Sequence, residues 1–145
     1  MKILVINGPN LNLLGIREPD IYGRGTYAEL CALIGGWADE LGMNCELFQS
    51  NHEGSIVDAI GQAYGVYDGI LINPAAYTHT SIAILDALKA VGLPTAEVHI
   101  SDISVREEFR RFSYVSLYAF VTIAGKGFDG YRLGLEALKE RIRQK

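Results

Sequence analysis

The segment GILINPAAYTHTSIAILDALKAVGLPTAEVHIS, residues 69–101, contains two apolar runs of strand length separated by a helical pattern. The runs are 69–73 and 95–101, and the helical pattern covers 78–92. The first run lacks the alternation of a half-exposed strand, which is typical of a strand buried on both faces. Strand, helix and strand in this order predict two parallel strands joined by a right-handed crossover.

The same alternation extends to both ends of the chain. Further strand-length runs lie at 2–7, 44–50 and 117–124, and helical patterns lie at 26–42, 54–65 and 130–145, with a short turn near 104–110. Strands that alternate with helices favour a parallel sheet with helices on both faces. A length of 145 residues suits one domain. We therefore predict a single flavodoxin-like α/β domain over residues 1–145, a three-layer sandwich with a five-stranded parallel sheet.

Composition limits the classes of partner. Hydrophobic residues make up 49% of the chain, which predicts apolar surface buried between copies of the chain. The net charge is −4 and the basic residues are scattered apart from a cluster at 106–111, so we expect no nucleic-acid partner. No apolar stretch reaches the roughly 18 residues that span a bilayer, and no signal-peptide pattern precedes the first strand. We expect no membrane partner and a cytoplasmic location. Cys31 and Cys45 are interpreted as packing residues.

Polar residues follow four of the predicted strands. They are Asn7 and Asn10 at the first strand, residues 49–53 at the second, Asn73 at the third, and His99, Ser101 and Asp102 at the fourth. Each one alone is explained by helix capping or a turn. Ligands of parallel sheets bind at the carboxyl ends of the strands, where these residues converge, so together they predict a ligand site.

Residues 8–25, here called the lid loop, carry no periodic pattern. A loop of this length in a compact domain is usually a functional lid or a disordered segment. Its apolar residues, among them Leu11 and Leu14, are more than a solvated tail carries, which favours a lid. The lid loop bears Arg17 and Tyr22, and a further arginine, Arg106, follows the fourth strand.

Several segments resemble a known family in order and spacing. INGPNLNLLGIREPDIYG (6–23), NPAAYTHTS (73–81), EVHIS (97–101), REEFRR (106–111) and GKGFDGY (125–131) are similar to the signature segments of type II 3-dehydroquinate dehydratases. The resemblance implies the conversion of 3-dehydroquinate to 3-dehydroshikimate and water, a step of the shikimate pathway for aromatic amino acid biosynthesis. It further implies an enolate intermediate, no metal and no cofactor.

The resemblance implies that Tyr22 is the base that removes the proton next to the ketone and that Arg17 is the lid cation beside it. A phenol is a base only when it is ionised, and Arg17 and Arg106 are expected to supply the positive charge that favours this form. The alternative is that Tyr22 only packs the closed lid loop while both arginines form surface ion pairs.

By the same resemblance, His99 is the general acid that protonates the departing hydroxyl, and Asn10 holds a water against the developing enolate. Glu97 lies two residues before His99, on the same face of a regular strand, and is expected to orient the imidazole ring. The alternatives are a core histidine at position 99 and a turn asparagine at position 10.

The resemblance also implies a set of substrate-binding groups. These are the side chains of Asn73, His79 and Arg110 and the backbone N–H groups of Ile100 and Ser101. Asp86 matches a residue that reaches into the site of a neighbouring subunit, and the family's usual assembly is a homododecamer of four trimers. Position 79 also suits the start of a helix, and Arg110 a solvated surface charge.

Three positions depart from the family's pattern. Asp102 stands where many members carry Asn, Leu85 where Arg is frequent, and Ser55 where an acidic residue is common. Asp102 is expected to weaken substrate binding unless its carboxylate points away or pairs with an arginine. Leu85 removes a possible partner between subunits.

Other functions fit the residues less well. GKGFDG at 125–130 has the form of a dinucleotide fingerprint, but no later βαβ unit and no ribose-binding acid follow it, so helix packing is the better interpretation. An electron carrier of the flavodoxin type needs a hydroxyl-rich phosphate loop after the first strand. A receiver module needs aspartates where Asn7 and Asn73 stand. A catalytically idle homologue that binds ligand remains as the alternative function.

Overall fold

A computed structural model describes residues 1–16 and 18–145. The described residues form one sheet of five parallel strands: β1 (Lys2–Asn7), β2 (Asn44–Gln49), β3 (Gly69–Asn73), β4 (Thr95–His99) and β5 (Val121–Ala124). Their order in the sheet is β2-β1-β3-β4-β5. Asn7 of β1 pairs in register with both Gln49 and Asn73, so the carboxyl ends of these three strands lie level with one another.

Helices cover both faces of this sheet. In chain order they are α1 (Pro19–Tyr22), α2 (Tyr27–Leu41), α3 (Glu53–Gln62), α4 (Ile82–Val91) and α5 (Asp129–Arg143). Side chains of α2 and α5 pack on the face that carries Ile3 and Val5, and those of α3 and α4 on the face that carries Leu4 and Ile6. Successive β1 side chains enter opposite layers because strand side chains alternate. The flavodoxin-like α/β sandwich predicted from the sequence is confirmed.

The burial of each strand follows its place in the sheet. All residues of β3 and β4 are buried, as are Ile3–Asn7 of β1, whereas β2 and β5 form the edges and are partly exposed. Strand β5 begins at Val121 rather than at residue 117, because residues 115–117 form a 3-10 turn before the edge strand. The predicted length of that strand was therefore wrong at its start.

The helix predicted from residue 78 begins later, at Ile82. Ser81 precedes it, and its hydroxyl accepts a hydrogen bond from the backbone N–H of Ile84 over 2.9 Å, which satisfies a free donor of the first turn. A separate 3-10 turn, Ala75–His79, connects β3 to this cap. His79 therefore lies in the turn that leaves the sheet and not in α4.

The lid loop has short local structure that the sequence pattern does not reveal. It contains a 3-10 turn at Leu11–Leu13 and the one-turn helix α1. Leu11 and Leu14 are each only 2% exposed and belong to the core beside α2. The root of the lid loop is therefore fixed to the core, while α1 lies at the rim of the sheet edge where β1 and β3 end. In the described part of the chain, we find no helix that combines the length and apolarity needed to cross a membrane.

Gly8, directly after β1, is expected to tolerate no side chain. A Cβ there would lie 2.4 Å from the carbonyl oxygen of Pro74, and that contact is with backbone that a rotamer change cannot relieve. Gly8→Ala is expected to lower the free energy of unfolding by about 2 kcal/mol. Gly36→Ala is the matched control, because its Cβ meets nothing within 4 Å in α2 and Ala favours a helix by up to about 1 kcal/mol. Urea unfolding measures both, and a Gly8→Ala variant as stable as wild type would contradict the close approach.

Candidate active site

A cleft opens at the carboxyl ends of β1, β3 and β4. Most of the site residues predicted from the sequence line it. These are Asn10, Tyr22, Asn73, His79, His99, Ile100, Ser101, Arg106 and Arg110. Apolar walls come from Leu11, Ala75 and Ile103. The arrangement, a concave site with a few converging polar groups, is the usual form of a small-molecule site.

Two predicted site residues have other positions in the described part of the chain. Glu97 is fully buried behind His99. Asp86 is exposed on α4 and does not line the cleft of its own chain. Arg17 lies outside the described residues.

Glu97 and His99 form a buried pair beneath the cleft. Both side chains lie on one face of β4, and Nε2 of His99 is hydrogen-bonded to Oε2 of Glu97. The expected contact between them is therefore present. A carboxylate partner fixes the ring and keeps a proton on Nε2, which leaves Nδ1 as the nitrogen that can exchange a proton with a ligand in the cleft.

The Glu97 carboxylate receives further donors from three other parts of the chain. Hydroxyl groups of Thr78 and Ser113 donate to Oε2 over 3.1 and 2.6 Å, and that of Thr122 donates to Oε1 over 3.2 Å. Burial opposes the charge, but the hydrogen bond and charge of His99 and the hydroxyls of Ser113 and Thr78 outweigh it and hold the pKa of Glu97 below its ordinary value. Glu97 is thus an ionised group with its hydrogen-bonding capacity met by protein.

Arg106 connects the lid loop to the end of β4. Its Nη1 donates to the Tyr22 hydroxyl oxygen over 3.1 Å and to Ser101 Oγ over 3.3 Å. The guanidinium carbon lies 5.5 Å from the centre of the Tyr22 ring. Burial opposes the charge of Arg106, but the Tyr22 oxygen and the carboxylate of Glu107 outweigh it, so the pKa of Arg106 is raised. The structure therefore places the positively charged guanidinium of Arg106 beside the hydroxyl oxygen of Tyr22.

Asn10 occupies a backbone conformation that few residue types adopt. Its φ is 68°, in the left-handed region where asparagine is among the most tolerated side chains. The backbone N–H of Asn10 donates to Oδ1 of Asn51 over 2.9 Å, and Gln49 Nε2 donates both to that oxygen and to the carbonyl of Gly8. Gln49, which ends β2, and Asn51 thus hold the first turn of the lid loop in place. Neither residue lines the cleft.

His79 and Arg110 both line the cleft. Nδ1 of His79 is hydrogen-bonded to the carbonyl of Phe112 over 2.8 Å. Burial lowers the pKa of His79, and the nearby charges of His99 and Arg110 add to this effect. Arg110 Nε lies 3.1 Å from Oε2 of Glu107, an ion pair that is misaligned for a hydrogen bond. The Arg110 guanidinium therefore retains donors for an anionic ligand.

Comparison with known proteins decides the family. Residues 1–139 match the family model described as "Dehydroquinase class II". The chain belongs to the class II dehydroquinase family.

Named relatives of this class II dehydroquinase cover it almost completely. The 3-dehydroquinate dehydratase of Clostridium acetobutylicum is 54% identical over 98% of the chain and 99% of the relative. That of Caldicellulosiruptor saccharolyticus is 57% identical over 96% of the chain and 97% of the relative. Among solved structures, type II dehydroquinase from Butyrivibrio crossotus superposes with a TM-score of 0.94 at 49% identity, covering 96% of this chain and 97% of that one.

The three residues that depart from the family's pattern all lie outside the cleft of this class II dehydroquinase. The Asp102 carboxylate is exposed and accepts hydrogen bonds from the backbone N–H and the hydroxyl of Ser104, over 3.0 and 2.6 Å, which lower its pKa. Asp102 is not among the residues that line the cleft. Leu85 is buried in α4, at 5% exposed, and Ser55 lies in the first turn of α3. The negative charge of Asp102 is thus directed into its own loop.

Sequence reasoning missed the hydroxyl donors of Glu97. Thr122 pairs with Glu97 across β4 and β5, so the strand order together with the register would have revealed it. Thr78 lies in the 3-10 turn after β3 and Ser113 in an irregular segment, and neither carries a sequence signal. Among the described residues, no cluster of three or more His, Cys, Asp or Glu side chains has the arrangement of a metal site.

Removing the charge of Glu97 tests its role in stability. Glu97→Gln is expected to lower the free energy of unfolding by about 3 kcal/mol at neutral pH, because the amide brings N–H donors to a place where donors already converge. Since folding lowers the pKa of Glu97, the advantage of the wild type is complete above the ordinary value of 4.5 and disappears as pH falls through the lowered value. Urea unfolding from about pH 7 to about pH 3 measures it, with the exposed Glu108→Gln as control. An advantage that persists at the acid end would show that the charge is not its source.

Proposed function

We propose that this chain converts 3-dehydroquinate to 3-dehydroshikimate and water, and that residues 1–145 act as one catalytic domain. The observation that carries the proposal is that one cleft of a class II dehydroquinase holds both a tyrosine oxygen against a guanidinium and a histidine fixed by a buried carboxylate. A base and an acid on opposite elements suit the removal of a proton and a hydroxyl from neighbouring carbons.

In the first step, the ionised oxygen of Tyr22 takes the proton next to the ketone, and the electron pair of that C–H bond moves to form the enolate. Arg106 stabilises the negative charge that Tyr22 carries before the transfer, over the 3.1 Å contact. Arg17 is assigned the same function from the lid loop on the basis of its place in the sequence. Asn10 holds a water against the enolate oxygen, a preorganised dipole where charge develops.

In the second step, the enolate collapses, the C–O bond of the neighbouring hydroxyl breaks, and His99 delivers a proton to that oxygen so that it leaves as water. The proton comes from Nδ1, since Nε2 is held by Glu97. His99 then regains a proton and Tyr22 loses one to solvent, which restores both groups. No step uses a metal or a cofactor.

Substrate binding is assigned to five further residues of the cleft. Asn73 and His79 are proposed to bind the substrate's hydroxyls, and Arg110 its carboxylate together with the backbone N–H groups of Ile100 and Ser101. All of these residues line the cleft. The charge of Arg110 complements the carboxylate.

The assembly is proposed to be a homododecamer of four trimers, located in the cytoplasm, with neither nucleic acid nor membrane as a partner. Asp86 supports this assembly, because it is exposed on α4 and does not line its own cleft. Such a position suits a residue that completes the site of a neighbouring subunit.

Removing the Tyr22 hydroxyl tests the base. Tyr22→Phe is expected to lower kcat by a factor on the order of 10³ to 10⁴, because the phenyl ring cannot accept the proton. The measurement is the ultraviolet absorbance of the product's conjugated enone after 3-dehydroquinate is added, with Tyr64→Phe at an exposed position as the control. Equal rates in wild type and Tyr22→Phe would move the base elsewhere. Substrate binding without any turnover in wild type would favour the idle homologue.

The position of Asp102 predicts that its charge does not affect the substrate. Asp102→Asn is expected to leave KM within about twofold of wild type, because the carboxylate is held by Ser104 outside the cleft. Arg110→Gln is the contrasting variant, and it is expected to raise KM about tenfold or more by removing the cation from the wall. A large fall in KM for Asp102→Asn would show that the carboxylate repels the substrate.

A further inference from the structure

A chain of hydrogen bonds runs through the core beneath the cleft. Tyr131, in the first turn of α5, is 0% exposed and its hydroxyl lies between the side chains that end β1 and β3. The hydroxyl donates to Oδ1 of Asn7 over 2.6 Å and accepts from Nδ2 of Asn73 over 3.0 Å. Asn7 in turn donates through Nδ2 to the Tyr27 oxygen over 3.4 Å. Burial raises the pKa of Tyr131, so this hydroxyl stays protonated.

The direction of these hydrogen bonds determines how the Asn73 amide is oriented. A tyrosine hydroxyl has one proton, and Tyr131 gives it to Asn7. Its oxygen can then only accept, which requires the N–H₂ end of Asn73 to face it. The carbonyl end of the same amide accepts from the backbone N–H of Ala75 over 3.1 Å. With both ends assigned, Asn73 retains one N–H for a ligand in the cleft that it lines.

The hydrogen bonds of Asn73 also hold strained backbone at the wall of the cleft. Ala75 has a φ of 52°, a left-handed conformation that alanine rarely adopts. Such strain persists where neighbouring contacts fix it, and the Asn73 carbonyl provides one of these contacts. The orientation of the amide and the shape of the adjacent wall are therefore linked.

Glycines on either side of Tyr131 bring α5 close enough to the sheet for this contact. A Cβ on Gly130 would lie 3.0 Å from Val98 Cγ2, and one on Gly134 would lie 2.5 Å from Leu71 Cδ1. Both contacts are with fully buried strand residues. The GKGFDGY segment, which has the form of a nucleotide fingerprint, thus places the Tyr131 hydroxyl at the ends of β1 and β3.

We propose that Tyr131 is a positioning residue for substrate binding, which acts by holding the Asn73 amide with its free N–H toward a hydroxyl oxygen of the substrate. This inference rests on the proposed function, since it assigns the ligand of Asn73 to the same substrate. Tyr131 does not itself line the cleft.

The test compares Tyr131→Phe with Tyr118→Phe. Each variant removes one tyrosine hydroxyl, and Tyr118 donates to the carbonyl of Leu93 over 2.9 Å near the opposite end of β4. Tyr131→Phe is expected to raise KM about tenfold with kcat within about threefold, because a contact made to substrate and transition state alike acts on KM. Tyr118→Phe is expected to lower stability without changing KM. Adding Tyr131→Phe to Asn73→Ala is expected to raise KM no further, because the positioned group is already absent.

A binding measurement separates this inference from the proposed function. In the Tyr22→Phe background, where turnover is blocked, calorimetric titration with 3-dehydroquinate is expected to show a Kd about tenfold weaker with Tyr131→Phe and unchanged with Tyr118→Phe. A Tyr131→Phe variant that is less stable but has wild-type KM and Kd would overturn the inference and leave the proposed function intact. A wild-type chain that neither converts nor binds the substrate would overturn the proposed function, and the inference with it.

Discussion

The buried charge of Glu97 is the constraint on which the active-site half of the structure depends. An ionised carboxylate without solvent costs several kcal/mol unless donors meet it, and no single element of this fold can supply them all. The donors come instead from β5, from the turn after β3, from the segment before residue 115, and from His99 on β4 itself. Satisfying one carboxylate thus brings together four segments, of which the turn after β3 and the end of β4 line the cleft.

The proposed acid and the proposed base lie on different kinds of structural element. The acid, His99, lies on a buried central strand and is held by Glu97, while the base, Tyr22, lies at the end of a one-turn helix outside the sheet. Arg106 connects the lid loop to the chain just after β4, since it binds both Tyr22 and Ser101. In the proposed chemistry, the proton donor therefore lies on a buried strand and the base on the lid loop.

The sequence revealed the parts of the structure that follow local rules. Apolar runs predicted the strands, and the rule that parallel strands present their carboxyl ends at one edge placed Asn10, Asn73 and His99 together. Strand alternation predicted the contact of Glu97 with His99. Family resemblance was needed for Tyr22, because a tyrosine in an aperiodic loop has no chemical signature of its own.

Other parts could not be predicted because they depend on contacts between distant residues. Tyr22 and Arg106 are separated by 84 positions, and Tyr131 and Asn7 by 124. Nothing in the local pattern of either partner indicates the other. The start of β5 was placed too early because Leu117 continues the apolar run, although the chain there still follows a 3-10 turn. Residue type predicted what each group can do, and the fold determined which groups meet.

The fixed ends of the lid loop have a consequence for the rate of the reaction. Leu14 is held in the core, and Thr26 caps α2, because its hydroxyl oxygen accepts a hydrogen bond from the backbone N–H of Glu29 over 3.1 Å. Tyr22, the proposed base, therefore lies in a segment that is anchored at both ends. A tethered group samples a small volume, so its effective concentration beside a bound ligand exceeds what a free phenol reaches in solution. In the proposed mechanism, Leu14 thus favours proton transfer through entropy, without touching the reacting atoms.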